Sequence, residues 1–181
     1  MKLETLLSEK GPAILERWLK LTLESYPADT QRFLKKQKDP FANPVRHTIS
    51  KALENIYEEL LKGVDREGVS PFLDRIIRIR AVQDFSPSQA IAFVFILKRV
   101  IREVLDKEIR EYHLSADLLA LESQIDELAL VAFDVYMGCR EKIYALSANE
   151  ARNQVYRLLQ KKGLMAEIPE WEPRLKESNN S

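Results

Sequence analysis

Apolar positions recur along this chain at three- and four-residue steps, which is the period of an amphipathic helix rather than of a strand. Ile14, Leu15, Trp18, Leu19 and Leu21 to Leu23 predict a helix opening at Gly11-Pro12 and running to about Tyr26, with Leu3 to Lys10 as a short separate segment before it. Pro12 suits a first helical turn, because the N–H it lacks would have no intrahelical partner there. A weaker pattern predicts a helix from about Asp29 to Gln37, and Lys38 to Pro44 reads as a loop. Asn43 as N-cap and Pro44 at the first helical position open the next element. Its stripe of Val45, Ile49, Ala52, Leu53, Ile56 and Leu60 carries it to Lys62, before Gly63.

Ser70-Pro71 and Ser86-Pro87 repeat the signal of a serine cap followed by proline, predicting helices over about Pro71 to Gln83 and Pro87 to Arg110. Ser86 and Gln89 also have the spacing of a capping box. Ala90 to Leu97 is apolar on every face, so this segment is expected to run through the middle of the core. Ser115 caps the last large element, where Leu118, Leu121, Ile125, Leu128, Ala132, Val135 and Cys139 form a heptad-like seam that Ile143 and Leu146 continue less strictly. The seam has two readings: burial against the domain's own helices, or a dimer interface. Ser147-Ala148-Asn149-Glu150 has capping-box spacing again, and either restarts the helix or lies silent inside it. Val155, Leu158 and Leu159 continue the pattern to about Lys162. The expected fold class is therefore all-α, a single helical domain of seven to eight helices over residues 1–163 with a long C-terminal helix. Residues 164–181 are expected to form an extended, partly disordered tail, with Ile168 and Trp171 as its docking candidates.

Composition narrows the function classes. Five glycines and four threonines weigh against a strand-rich fold. The 28 basic and 28 acidic residues cancel to a formal net charge of zero, which argues against a nucleic-acid binder. The longest apolar run, Ala90 to Leu97, is far short of the roughly 18–20 residues a spanning helix needs, so no membrane insertion is expected. The N-terminal residues lack the apolar core of a secretory signal, and a lone Cys139 fits a reducing compartment; both predict a cytoplasmic protein.

Candidate chemistry is sparse. His47 lies roughly opposite the Ile49/Leu53/Ile56 stripe and His113 falls in a connection between helices, so surface positions are favoured over catalysis or haem ligation. One cysteine and two scattered histidines do not make a zinc site, and neither histidine follows a glutamate by three residues as a di-iron bundle requires. Cys139 continues the seam and reads as a small buried hydrophobe rather than a redox switch. No Gly-rich phosphate loop precedes any helix. Arg75, Arg78 and Arg80, with Arg99 and Arg102 one helix later, form the densest basic group. With Asp74, Asp84 and Glu103 interleaved, a solvated, ion-paired face is favoured over an anion or acidic-partner site. No catalytic residue, cofactor or metal is assigned.

Three stretches carry a family resemblance: Ile14-Leu15-Glu16-Arg17-Trp18, Asn43-Pro44-Val45-Arg46-His47-Thr48-Ile49, and Arg78-Ile79-Arg80-Ala81-Val82-Gln83-Asp84-Phe85-Ser86-Pro87-Ser88-Gln89. Together they resemble the RsbRD N-terminal domain, named for RsbT co-antagonist proteins, over about residues 3 to 160. The resemblance implies a sensory input domain of bacterial stress signalling, of the kind that commonly precedes a STAS or other output module. Related input domains look like globins without haem and pair as dimers. Only residues 164–181 follow the last helix, fewer than a STAS domain needs, so a stand-alone input domain is the expectation. It would be non-enzymatic, a homodimer, and would bind a protein partner; the alternative is a small-molecule or haem sensor with a pocket in the helical core. Candidate interaction residues are Arg78, Arg80 and Gln83 from the most specific stretch, and Leu118, Leu121 and Ile125 from the seam.

Overall fold

The computed structural model describes residues 2–36, 43–83 and 85–163. Among them every regular element is a helix: α1 (Leu3–Glu24), α2 (Ala28–Lys36), α3 (Pro44–Lys62), α4 (Arg66–Val82), α5 (Pro87–Val104), α6 (Asp106–Glu111) and α7 (Ser115–Lys161). The all-α class expected from the periodicity is thus the observed one. The chain divides into two units, Met1–Glu141 and Lys142–Ser181. Gln37, the loop over 38–42, Asp84 and the expected tail over 164–181, with Ile168 and Trp171, lie outside the described residues.

Two proline signals mislead. Gly11-Pro12 does not open a helix: α1 runs through it from Leu3. Gly11 is buried against the ring edge of Tyr57, where an added Cβ would come within 3.4 Å of the ring, and the Tyr57 hydroxyl donates to the Leu7 carbonyl at 2.9 Å. This contact ties the turn before Pro12 to α3. Burial pushes the Tyr57 hydroxyl's pKa up, which keeps it a donor. Pro71 likewise sits inside α4. The cap there is Asp65, whose carboxylate accepts from the Gly68 N–H at 3.0 Å, so the helix starts five residues before Pro71. Pro71 falls in the second turn of α4, where the upstream acid in capping geometry fixes the start.

The other boundaries follow the sequence more closely. Asn43 accepts from the Arg46 N–H and Pro44 is the first residue of α3, which stops at Gly63 with φ 96°. Ser86 and Gln89 form the reciprocal capping box, and Pro87 starts α5. That helix stops at Val104 rather than continuing to Arg110: Leu105 is buried and takes φ −107°, ψ 13°, and α6 restarts after it. Nor is the Ala90 to Leu97 run internal on every face. Ala90, Phe93, Val94 and Leu97 are buried, whereas Phe95 is 45% exposed. At Ser147 to Glu150 the helical assignment of α7 continues unbroken, so the capping-box spacing there is silent.

The core of unit 1 lies where α1 packs on α3 and α5, and α3 on α4. Trp18 of α1 is its centre: fully buried, it stacks on Phe93 with centroids 6.4 Å apart and donates its indole N–H to the Phe93 carbonyl. Part of α7 completes this core with Leu118, Leu121, Ile125, Leu128, Ala129, Val131, Ala132 and Tyr136.

Candidate functional site

Arg80 anchors the most distinctive cluster in unit 1. It continues the Leu73/Ile76/Ile77 stripe of α4 and is fully buried with them. Its Nε donates to the Tyr26 hydroxyl, one terminal nitrogen to the Gln89 and Ala90 carbonyls, and the other to the Thr22 carbonyl and the Ser25 hydroxyl. These five acceptors match the five N–H groups of a guanidinium. The rings of Tyr26, Phe85 and Phe93 lie 4.9–5.2 Å from its central carbon. Burial lowers its pKa, opposed by Tyr26, yet a guanidinium starts so high that it stays charged. Among the described residues no carboxylate pairs with it. The π faces, the oriented carbonyls and the negative end of α1 take that role.

The turn after Arg80 is fastened on both sides. The Phe85 N–H donates to the Arg80 carbonyl, and the Phe85 carbonyl accepts from the Tyr136 hydroxyl of α7 at 2.7 Å. Arg140 donates to the Ala81 carbonyl at 3.1 Å. The stretch Arg80 to Gln89 is therefore a knot that joins α1, α4, α5 and α7, and its chemistry is architectural.

A model of the family described as RsbT co-antagonist protein rsbRD N-terminal domain matches residues 12–151. The chain belongs to that family. Within the RsbRD N-terminal domain match fall the Arg80 knot, the α3 cap and the greater part of α7. An uncharacterized protein of the archaeon Archaeoglobus fulgidus is 29% identical over 144 residues, covering 76% of this chain and 82% of its own length. No solved structure matches. Membership makes this a domain of a signalling and regulatory family.

The expected interaction residues of this RsbRD N-terminal domain are placed very differently from one another. Arg78 is exposed and pairs with Asp74 at 2.7 Å, one turn away. Gln83 is exposed at the end of α4, while Arg80 is buried. The solvated, ion-paired face expected for the arginines holds for Arg78, Arg99 with Glu103, and Arg102 with Glu122, but not for Arg80. Leu118, Leu121 and Ile125 are buried in unit 1, on the internal side of α7.

The opposite side of α7 is the surface that periodicity did not single out. Leu119, Leu130, Phe133 and Met137 are exposed, Leu130 to 65% and Phe133 to 41%. At about 100° per residue they fall within one stripe, separate from the buried one. Lys98 pairs with Asp126 at 2.6 Å and Arg102 with Glu122 at 2.8 Å, so α5 and α7 run antiparallel here. The same register carried onward brings the exposed Phe95 level with residues 129–130. We read the exposed Leu130 and Phe133 of α7 and Phe95 of α5 as one apolar face across the two helices. Such a face on a folded unit is the usual mark of an interaction site. The signal was present in the sequence: the run from Leu128 to Phe133 is too apolar for one face of a helix to bury.

The remaining candidates do not converge. His47 and His113 are exposed, His113 at φ 54° in the turn before α7. Cys139 is half-buried, its Sγ 3.7 Å from an Asp74 carboxylate oxygen. An acidic neighbour disfavours a thiolate. Among the described residues no three His, Cys, Asp or Glu side chains come together as metal ligands. A groove of about 320 Å³ lies between Leu3, Leu7, Leu60 and Leu121, with Lys62 and Asp117 on its rim, and a second of about 470 Å³ between Leu15, Leu19 and Leu53. Neither is lined by a histidine. No helix of the described residues is long and apolar enough to cross a membrane.

Proposed function

We propose that this chain is a non-enzymatic cytoplasmic input domain that works by pairing with a second copy of itself and docking a protein partner. The observation that carries this reading is the apolar face of Phe95, Leu130 and Phe133, exposed on a unit whose core is already filled from the other side of the same helix. Family membership supports a regulatory role, as do the exposure of His47 and His113 and the engagement of Arg80 in the scaffold. The sensor alternative has a weaker footing. The described grooves are lined in part by exposed residues such as Lys62 and Glu58, and neither of them is lined by a histidine.

Leu130→Asp combined with Phe133→Asp tests this reading. Both side chains are exposed, so helical content by circular dichroism is expected to match the wild type. Self-association is expected to weaken by at least about 30-fold, the equivalent of losing one interface hot spot of about 2 kcal/mol. Unchanged self-association in a folded double variant would remove this face from pairing.

A further inference from the structure

The groove between α1 and α3 lies wholly within unit 1 and takes no part in the face formed by α5 and α7. Leu3 and Leu7 of α1 share one groove with Leu60, Tyr57 packs on Gly11, and Leu15 and Leu19 share the other groove with Leu53, so the two helices run antiparallel. That second groove, of about 470 Å³, has a floor of Leu15, Leu19 and Leu53 with Pro12 beside them. Its lining covers about two turns of each helix, roughly 10–12 Å at the helical rise. The rim is acidic, with Glu16 on the α1 side and Glu54 and Glu58 on the α3 side. Glu54 is held by Lys51 at 2.7 Å, and Lys62 is turned to Glu59 at 2.9 Å. Glu16 and Glu58 are exposed and make no ion pair among the described residues, although Lys20 stands one turn on from Glu16. In the stretch from Ile14 to Trp18, Ile14 and Trp18 are buried and Arg17 pairs with Glu103 of α5, which leaves Leu15 and Glu16 to the groove. Solvated carboxylates alone would be an ordinary surface; the leucine floor between them is what asks for an occupant.

We propose that this groove docks a protein partner through one amphipathic helix, whose apolar stripe fills the Leu15, Leu19 and Leu53 floor and whose flanking lysines or arginines meet Glu16 and Glu58. This rests on the partner-docking half of the reading above and specifies its site and the partner's chemistry. A groove between two helices takes a third helix through anchors at i, i+3 or i+4, and i+7, and two turns is the length that such anchors span. Unmatched acids on both rims favour cationic flanks and repel acidic ones, so they select among apolar helices that would fill the floor equally well. None of the lining residues belongs to α5 or α7, so docking here and pairing through Phe95, Leu130 and Phe133 are tested separately.

The probe is a fluorescent peptide of leucine, alanine and lysine, roughly 18 residues long so that it can form a helix, with a leucine stripe at helical spacing and lysines beside it. Its twin carries glutamate in place of lysine. Against the full chain in fluorescence anisotropy, the lysine peptide is expected to bind and the glutamate twin not to. Glu16→Lys combined with Glu58→Lys changes two exposed side chains, so the fold is expected to hold while the lysine peptide binds at least about tenfold more weakly. Glu111→Lys combined with Glu127→Lys makes the same change of net charge at exposed positions outside the groove, and is expected to weaken binding by less than about threefold. Equal weakening by the two charge-reversed pairs, equal binding of the two peptides, or no binding of the lysine peptide would overturn the proposal. Self-association lost through Glu16→Lys with Glu58→Lys would make a second copy the occupant and overturn the partner helix. Pairing itself stands or falls on the Leu130→Asp with Phe133→Asp variant, which leaves the groove intact and is expected to bind the lysine peptide as the wild type does.

Discussion

Replacing Arg80 with alanine is expected to cost about 3–5 kcal/mol of folding stability, enough to lower the melting temperature by on the order of 10 °C. The truncation removes the donor to five acceptors, on α5 and on and just after α1, and leaves a cavity among Tyr26, Phe85 and Phe93. Arg80→Lys is expected to recover only part of this, because a single ammonium cannot reach the Thr22 and Gln89 carbonyls at once. Arg78→Ala, two residues away, is expected to change stability by less than about 0.5 kcal/mol, since its pair with Asp74 is exposed. Chemical denaturation of the three variants checks the ordering. Equal losses at Arg80 and Arg78 would mean that Arg80 does not hold the knot together.

Trp18→Ala is expected to be about as damaging, at roughly 3–5 kcal/mol, because it empties a fully buried position at the meeting of α1 and α5. Trp18→Phe separates packing from hydrogen bonding. The Phe93 carbonyl belongs to the interior of α5 and keeps a helical partner when the indole is gone. The phenylalanine variant is therefore expected to lose only about 1–2 kcal/mol. Thermal denaturation followed by far-ultraviolet circular dichroism distinguishes the cases, and a phenylalanine variant as unstable as the alanine one would make the hydrogen bond the dominant contribution.

What was legible in the sequence was whatever a local pattern settles. The α3 boundaries, the Ser86 capping box and the helical period of the last element are decided by residues within one turn of each other. The starts of α1 and α4 were not legible, because Pro12 and Pro71 each signal a first turn, whereas both stand inside helices that begin earlier, at Leu3 and Arg66. Placing those starts takes a contact from another helix, Tyr57 on Gly11, or an upstream cap, Asp65 on Gly68. Arg80 shows a different limit. Its spacing from Ile76 and Ile77 put it on the buried stripe, but its charge and its neighbours Arg75 and Arg78 argued for solvent. Only the convergence of α1 and α5 supplies enough acceptors to bury a cation there. The two faces of α7 show a third: periodicity located the inner stripe of Leu118, Leu121 and Ile125, while Leu130 and Phe133 are recognisable as an outer face only once the inner one is known to be full.

Sedimentation equilibrium of the wild-type chain at tens of micromolar tests the central claim most directly. The pairing account predicts a mass twice the 21.0 kDa of the chain, shifting toward the single mass on dilution. A single-chain mass at every concentration would contradict it.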